Sequence, residues 1–172
     1  SYGVFRRGDP YLDPETDELL GIRAIDVGAA KIKALKDDIA TLGVNRAAGE
    51  IRIKDRLLVS EERTLASTFY PRAPESDINA LVLNVEDGVR NAGALDVVAI
   101  NRGDRDGLQA GDTLIIFKRG DVTKDRVADE RVQLPDERIG LLMVFYTYEK
   151  MSFGLVMEAD RQVDIGDLLR NP

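Results

Sequence analysis

The chain has 172 residues, of which 44% are hydrophobic and 32% charged, so it is long and apolar enough to bury a core. It contains no histidine, cysteine or tryptophan. This excludes disulfide bonds, the usual zinc, copper and iron–sulfur sites, and Ser-His-Asp or Cys-His catalysis within these residues. The net charge of −7 opposes binding to nucleic acid, and no apolar stretch is long enough for a membrane span.

The N-terminal part, residues 1–67, is predicted to be β-rich. Asp13 and Pro14 separate two extended segments, and an Asp-Pro pair is typical of a type I turn. Residues 29–42 are ambiguous, because their apolar residues recur at helical spacing while Asp37 and Asp38 fit a turn between strands. Two strands are the favoured prediction, and an amphipathic helix is the alternative.

A connector with two prolines, residues 68–76, is predicted to join this part to a C-terminal part, residues 77–172. The C-terminal part contains short runs rich in Val, Ile, Phe and Tyr, each bounded by Gly, Asp or Asn. Lys150 and Met151 mark a predicted hairpin turn. The sequence therefore predicts a mainly β protein of two small barrel- or sandwich-like parts, with a similar charge mix in each. The predicted C-terminal strands are residues 80–86, 95–101, 112–118, 140–150 and 152–159.

A short pattern recurs along the chain: an apolar residue, two spacers, Gly-Asp, a further spacer and Leu. It occurs at residues 5–12, 51–58, 108–115 and 163–170, with one extra residue in the first copy and Lys54 in place of glycine in the second. We interpret it as a corner between strands, where glycine takes the left-handed conformation and Asp accepts hydrogen bonds from the turn. Lys54 then predicts a different turn or a modest strain cost. The predicted structural turn residues are Gly103, Gly107, Gly111, Asp112, Gly166 and Asp167.

The stretch from Ile100 to Phe117 contains an Arg-Gly-Asp tripeptide, a calcium-loop-like Asp-Arg-Asp-Gly and three glycines at every fourth residue. A calcium loop is not supported, because the position that must hold a bidentate glutamate is Ile115. A phosphate loop is not supported, because no Lys-Ser or Lys-Thr follows the glycines. We therefore predict a corner in this stretch. Its expected features are positive φ at Gly107 and Gly111 and burial of Leu108 and Leu114.

Three side chains are candidate contacts for a partner or a glycan. Arg138 belongs to a charged loop directly before the most apolar strand, and it could reach a carboxylate or a sugar. Tyr146 and Tyr148 share one face of a strand by alternation, and Phe145 takes the other. The two tyrosines could form a sugar-stacking platform, although packing in the core or across strands is the more ordinary interpretation.

The segments "VFRRGDPYLDPETDELLGIRAIDVGAAKI", "LPDERIGLLMVFYTYEKMSFGLVMEA" and "VDIGDLLRNP" carry a resemblance to a known family. Together with shorter matches, they resemble the C-terminal region of proteobacterial LysM-domain peptidoglycan-binding proteins over nearly the whole chain. In that family a signal sequence and a LysM module precede this region. The resemblance therefore implies a periplasmic, cell-envelope location, and it favours a hairpin at residues 30–46. The LysM module is not among these residues, so no glycan-contact residue is carried over.

The expected function is a non-catalytic accessory region of a peptidoglycan-associated LysM-type protein, which makes protein–protein or envelope contacts. The expected partners are peptidoglycan or envelope proteins, reached through the upstream LysM module, and no cofactor or metal is expected. One alternative is an intrinsic carbohydrate-binding module that uses the face of Tyr146 and Tyr148. A more remote alternative is a glycan hydrolase, which requires two carboxylates facing each other across a cleft.

Overall fold

A computed structural model shows a mainly β protein, as the sequence predicts, and its packing divides the chain into two compact units. The first unit comprises Ser1–Tyr11 and Gly21–Ser67, and the second comprises Leu12–Leu20 and Thr68–Pro172. Residues 12–20 therefore pack in the second unit, whereas the sequence analysis places them in the N-terminal part. The structure describes residues 2–59, 69–86, 91–124, 127 and 129–172.

The two units differ strongly in charge. The first unit has 11 basic and 8 acidic residues, a net charge of +3, and the second has 13 basic and 23 acidic residues, a net charge of −10. The expectation of a similar charge mix in the two parts is wrong for these units. The reason is that the acidic segment Leu12–Leu20 belongs to the second unit and not to the first.

The first unit is built on a four-stranded sheet with the strand order β3-β2-β1-β4. Asp37 and Asp38 form the turn between β2 and β3, where Lys36 pairs with Ile39 in an antiparallel hairpin. The prediction of strands for residues 29–42 is confirmed, and the helical alternative is wrong. The strands are β1 (Tyr2–Leu12), β2 (Leu19–Lys36), β3 (Ile39–Ala47) and β4 (Arg56–Val59).

The second unit contains a closed six-stranded barrel with the order β11-β12-β7-β5-β14-β8, and all its neighbouring strands are antiparallel. Two short ladders, β6 with β13 and β9 with β10, lie outside the barrel order. The strands are β5 (Asn79–Val85), β6 (Asn91–Ala92), β7 (Val97–Ile100), β8 (Thr113–Lys118), β9 (Val122–Lys124), β10 (Arg131–Gln133), β11 (Glu137–Thr147), β12 (Ser152–Ala159), β13 (Val163–Asp164) and β14 (Leu168–Arg170).

The barrel interior is filled by apolar residues, which alternate with more exposed ones along β8 and in the middle of β11. Leu114 and Ile116 on β8 and Leu142 and Val144 on β11 are fully buried. A period of two directs such residues to one face of a sheet, and in a small barrel that face is the interior. Full burial of a side chain of this size stabilises the fold by about 1.5–3 kcal/mol. The second unit therefore has a well-packed core of its own.

The recurring sequence pattern forms the same four-residue turn in both units. The N–H of its aspartate donates to the carbonyl oxygen three residues earlier, and the N–H of that earlier residue donates to the aspartate carboxylate. The residue directly before the aspartate has positive φ, as glycine allows at little cost. The turns run from Arg52 to Asp55 (Lys54 φ 81°), Gly93 to Asp96 (Leu95 φ 73°), Gln109 to Asp112 (Gly111 φ 99°) and Asp164 to Asp167 (Gly166 φ 91°).

Two details of the pattern depart from the sequence analysis. Lys54 forms the same turn as the glycine copies, so the cost there is conformational strain and not a different turn. The copy at residues 5–12 forms no corner, because Gly8 and Asp9 lie within β1. Pro10 accounts for this difference, since proline holds the residue before it in an extended conformation.

The stretch from Ile100 to Phe117 forms the predicted corner. Gly107 and Gly111 have positive φ of 91° and 99°, and Leu108 and Leu114 are fully buried, so these expectations are confirmed. Gly103 does not share the positive φ of these two glycines. Its backbone is extended, with φ −142°.

A Cβ atom at Gly103 would lie 2.3 Å from the carbonyl oxygen of Tyr148 and 2.6 Å from the backbone nitrogen of Met151. The absence of a side chain therefore lets the loop pack directly on the turn between β11 and β12.

Candidate functional site

Three aromatic rings lie together at the turn end of the β11–β12 hairpin. The ring centroids of Tyr146 and Tyr148 are 4.7 Å apart, and those of Tyr148 and Phe153 are 6.1 Å apart in an edge-on arrangement. Tyr148 is 44% exposed, and the other two rings are half-buried. We call these three residues the aromatic patch. The rings contact one another and are also accessible to a ligand from solvent.

A bulge in β11 sets the position of the patch. Val144 pairs with Gly154 and Tyr146 pairs with Phe153, so Phe145 is an extra residue in β11. Strict alternation from the buried Val144 would direct Tyr146 into the core. The extra residue places Tyr146 opposite the half-buried Phe153 instead, as a bulge is able to do. The patch therefore depends on a local irregularity and not on a regular strand.

The hairpin that carries the patch ends in the predicted turn. The N–H of Tyr148 donates to the carbonyl oxygen of Met151 at 2.8 Å, so the hairpin prediction at Lys150 and Met151 is confirmed. Arg138 lies at the opposite end of β11 and is exposed. It is eight residues from Tyr146 along the strand, a span of roughly 26 Å. The structure therefore does not bring Arg138 together with the two tyrosines.

Glu18 ties residues 12–20 to the loops beside the patch. Its two carboxylate oxygens accept from both guanidinium nitrogens of Arg105 at 2.9 and 2.7 Å, and one also accepts from Lys150 Nζ at 2.7 Å. The hydrogen bonds from Arg105 and then Lys150 lower the pKa of Glu18 to about 2. We call these three residues the Glu18 cluster. Of its members, Lys150 is two residues from Tyr148 of the aromatic patch along the chain.

Asp13 holds the same segment from a buried position. Its carboxylate accepts from the N–H groups of Glu15 at 2.8 Å and Thr16 at 3.2 Å, from Asn101 Nδ2 at 3.1 Å and from Arg102 Nη1 at 3.3 Å. Burial raises the pKa of Asp13, but these hydrogen bonds outweigh burial and the pKa is lowered. A carboxylate with four donors around it serves to anchor residues 12–20.

A second ionic cluster connects Lys118, the last residue of β8, with Asp164 and Asp167. Lys118 Nζ donates to Asp164 Oδ2 at 2.6 Å, to Asp167 Oδ2 at 2.8 Å and to the carbonyl oxygen of Gln162 at 3.0 Å. Burial lowers the pKa of Lys118, and its two carboxylate partners raise it by more, so the lysine stays charged. Asp167, one of the predicted turn residues, thus combines the turn hydrogen bond with an ion pair.

The first unit contains a groove that the sequence analysis missed. It has a volume of about 190 Å³ and an almost wholly apolar lining. Its arginines come from three strands whose pairing the sequence does not reveal, so adjacent positions such as Arg6 and Arg7 give the only signal. We call this feature the arginine groove. Its lining residues are Phe5, Arg6, Arg7, Ile22, Arg23, Ala24, Arg56 and Leu58.

The first unit also exposes many large apolar side chains. In its described residues, a small buried cluster is formed by Val4, Val27 and Ala30, against which the half-buried Leu42 packs. Every residue of β4 is exposed. The exposed large apolar residues of this unit are Ile22, Ile25, Ile32, Leu35, Ile39, Val44, Ile51, Ile53, Leu57, Leu58 and Val59.

Among the described residues, no group of three or more His, Cys, Asp or Glu side chains could hold a metal ion. No helix in this part of the chain is long and apolar enough to cross a membrane.

The fold and these sites define a mainly β protein with one closed barrel and one four-stranded sheet. The sheet belongs to a basic unit whose described large apolar side chains are mostly exposed. Comparison with known protein families finds no family whose model matches the chain, and comparison with curated proteins finds none that matches it.

Proposed function

We propose that this chain is a non-catalytic binding region of a peptidoglycan-associated, LysM-type protein of the periplasm, and that it contacts partner proteins of the cell envelope. The observation that carries the proposal is the surface of the first unit, which exposes more large apolar side chains than it buries. Single exposed apolar residues are ordinary on any protein. A concentration of them on one small sheet is typical of an interaction surface.

The resemblance to LysM-domain proteins supplies the location in this proposal. The LysM module of such proteins binds the glycan, which leaves a second region available to bind proteins. The charge of the first unit, +3 in a chain of −7, supports a partner of acidic character.

The ionisation of the carboxyl groups supports a non-catalytic role. A glycan hydrolase needs one carboxylic acid whose pKa is raised so that it can donate a proton. In the described residues, hydrogen bonds or ion pairs lower the pKa of every carboxyl group that is clearly shifted. These groups are Asp13, Glu18, Asp55 and Asp136.

The test is chemical cross-linking of the purified chain in an envelope extract, together with co-sedimentation with purified sacculi. We expect discrete protein cross-links and no sedimentation with sacculi. The variant Leu35→Ser with Ile39→Ser should lose the cross-links, because both residues are exposed on the first unit. The matched variant Leu95→Ser with Ile165→Ser, exposed on the second unit, should keep them. Strong binding to sacculi by the chain alone contradicts the proposal.

A second candidate function is direct carbohydrate binding, and the aromatic patch favours it. Exposed rings next to charged groups are able to stack on a sugar and hydrogen-bond to its hydroxyl groups. Tyr146→Ala with Tyr148→Ala should then abolish binding of muropeptides in isothermal titration calorimetry. Tyr70→Ala is the matched control, because this tyrosine is 81% exposed elsewhere in the second unit. Equal binding by both variants and the parent chain excludes this function for the patch.

A further inference from the structure

The arginine groove combines an apolar floor with a cationic rim. Phe5, Ile22 and Leu58 contribute to the floor, and the exposed residues Arg7 and Arg56 also line the groove. Because the lining is almost wholly apolar, these arginines line it mainly with their aliphatic stems, and their charged ends lie at its rim. Phe5 pairs directly with Arg56 across β1 and β4, so the two side chains lie on the same face of the sheet. None of the described residues that line the groove is acidic. A ligand for this site therefore needs both apolar groups and negative charge.

The four arginines of the groove are not equivalent. Arg6 is held by Asp55, with Nε and Nη2 each 2.9 Å from a carboxylate oxygen, so its charge is already compensated. The side chains of Arg7 and Arg56 make no hydrogen bond or ion pair with another described residue. Both residues are exposed. These two guanidinium groups are therefore the ones that a partner's carboxylates could reach.

The position of β4 favours an extended ligand. In the described sheet, β4 is an edge strand that pairs with β1 on one side. An edge strand offers backbone N–H and C=O groups to a further strand, and the alternate side chains of that strand enter the adjacent pockets. A peptide in β conformation at this edge would direct every second side chain toward the face of the sheet that carries Phe5, Arg56 and Leu58.

We propose that the arginine groove binds an extended segment of a partner protein whose groove-facing side, formed by every second residue, carries both apolar and acidic side chains. The apolar side chains of the segment pack on Phe5, Ile22 and Leu58, and its carboxylates accept hydrogen bonds from Arg7 and Arg56. The inference rests on the proposed function and adds the site and the chemistry of the partner.

The test uses the whole chain and a fluorescein-labelled synthetic peptide that carries leucine and glutamate in turn at every second position, with serine between them, so that both occupy one face of an extended strand. We expect saturable binding by fluorescence anisotropy, and no binding of a peptide with lysine in place of glutamate. Arg7→Glu with Arg56→Glu should weaken binding by about tenfold or more. Lys31→Glu with Lys36→Glu makes the same change in net charge away from the groove, and it should have a much smaller effect. Leu58→Ser removes part of the apolar floor and should also weaken binding of the peptide. Circular dichroism checks that each variant is folded.

Four results would overturn the inference. The first is no binding of the glutamate peptide, and the second is an equal loss in the two charge variants, which indicates general attraction only. The third is self-association of the chain that depends on Arg7 and Arg56 in analytical ultracentrifugation, which makes a second copy the occupant. The fourth is binding of phosphatidylglycerol vesicles that depends on the same arginines while the peptide fails to bind.

The test of the groove and the test of the proposed function can be told apart by their results. Envelope-protein cross-links that persist in Arg7→Glu with Arg56→Glu overturn the groove as the site and leave the proposed function in place. Binding to sacculi by the chain alone overturns the proposed function, and the peptide measurement still stands on its own.

Discussion

Lys54 in the first unit occupies the same backbone position as Gly111 in the barrel. Their φ angles are 81° and 99°, and each directly precedes an aspartate whose carboxylate accepts the N–H three residues back in the chain. These distances are 2.7 Å to Asp55 and 2.8 Å to Asp112. The hydrogen bonds of the aspartate, and not the residue before it, therefore define the turn.

Lys54→Gly should stabilise the first unit by about 1 kcal/mol, because it relieves a left-handed conformation at a residue with a Cβ atom. Urea unfolding followed by circular dichroism measures the change in the free energy of unfolding. Lys54→Ala is the matched control, since it removes the charge but keeps the Cβ atom and the strain. Equal effects of glycine and alanine would show that strain at this position is negligible.

Gly103→Ala should destabilise the barrel by about 1–3 kcal/mol, since the new methyl group overlaps backbone atoms of the hairpin turn. Thermal unfolding gives the change. Gly93→Ala provides the control, because the nearest atom to a Cβ there is 3.9 Å away and its φ is not in the left-handed range. If both substitutions have the same small effect, the close approach at Gly103 does not limit the packing.

Glu18 should make the stability of the second unit depend on pH. Its pKa is lowered from 4.5 to about 2 in the folded chain, so the ionised carboxylate favours folding. The stabilisation is fully present above pH 4.5 and is lost as the pH falls toward 2. The stability difference between the parent chain and Glu18→Gln should therefore be constant above pH 4.5 and shrink below it. Glu75→Gln, at an exposed position, should show no such trend.

Asp112→Ala should cost about 2 kcal/mol, because it leaves the Gln109 N–H and Arg72 Nε without their acceptor. The Asp112 side chain is buried while Arg72 is half exposed, so the loss should be smaller than for a fully buried ion pair. Chemical denaturation of the second unit measures it. Asp77→Ala, an exposed carboxylate in the same unit, should change stability by less than about 0.5 kcal/mol.

The strands and corners could be predicted because they depend on neighbouring residues. Alternation reveals β8 and β11, and Gly-Asp reveals the corners at Asp112 and Asp167. The corner at Asp96 was missed, because Leu95 holds the position where the pattern has glycine. Its only local signal is an aspartate three residues after Gly93.

Features that depend on distant contacts could not be predicted in the same way. Residues 12–20 pack in the second unit because Glu18 bonds with Arg105, which is 87 positions further along the chain. The arginine groove requires the register of β1 against β4, which is set after the chain folds. The bulge at Phe145 could not be predicted either, because the sequence of a regular strand with the same residues would show the same pattern.

The assignment of residues 12–20 to the barrel means that the polypeptide passes between the units after Tyr11, Leu20 and Ser67. One cleavage within residues 69–76 breaks a single one of these three covalent links. A fragment that starts at residue 69 would lack Asp13 and Glu18, which pair with Arg102, Arg105 and Lys150. A synthetic peptide of residues 12–20 added in trans should restore that fragment, which makes this protein suited to a split-complementation design.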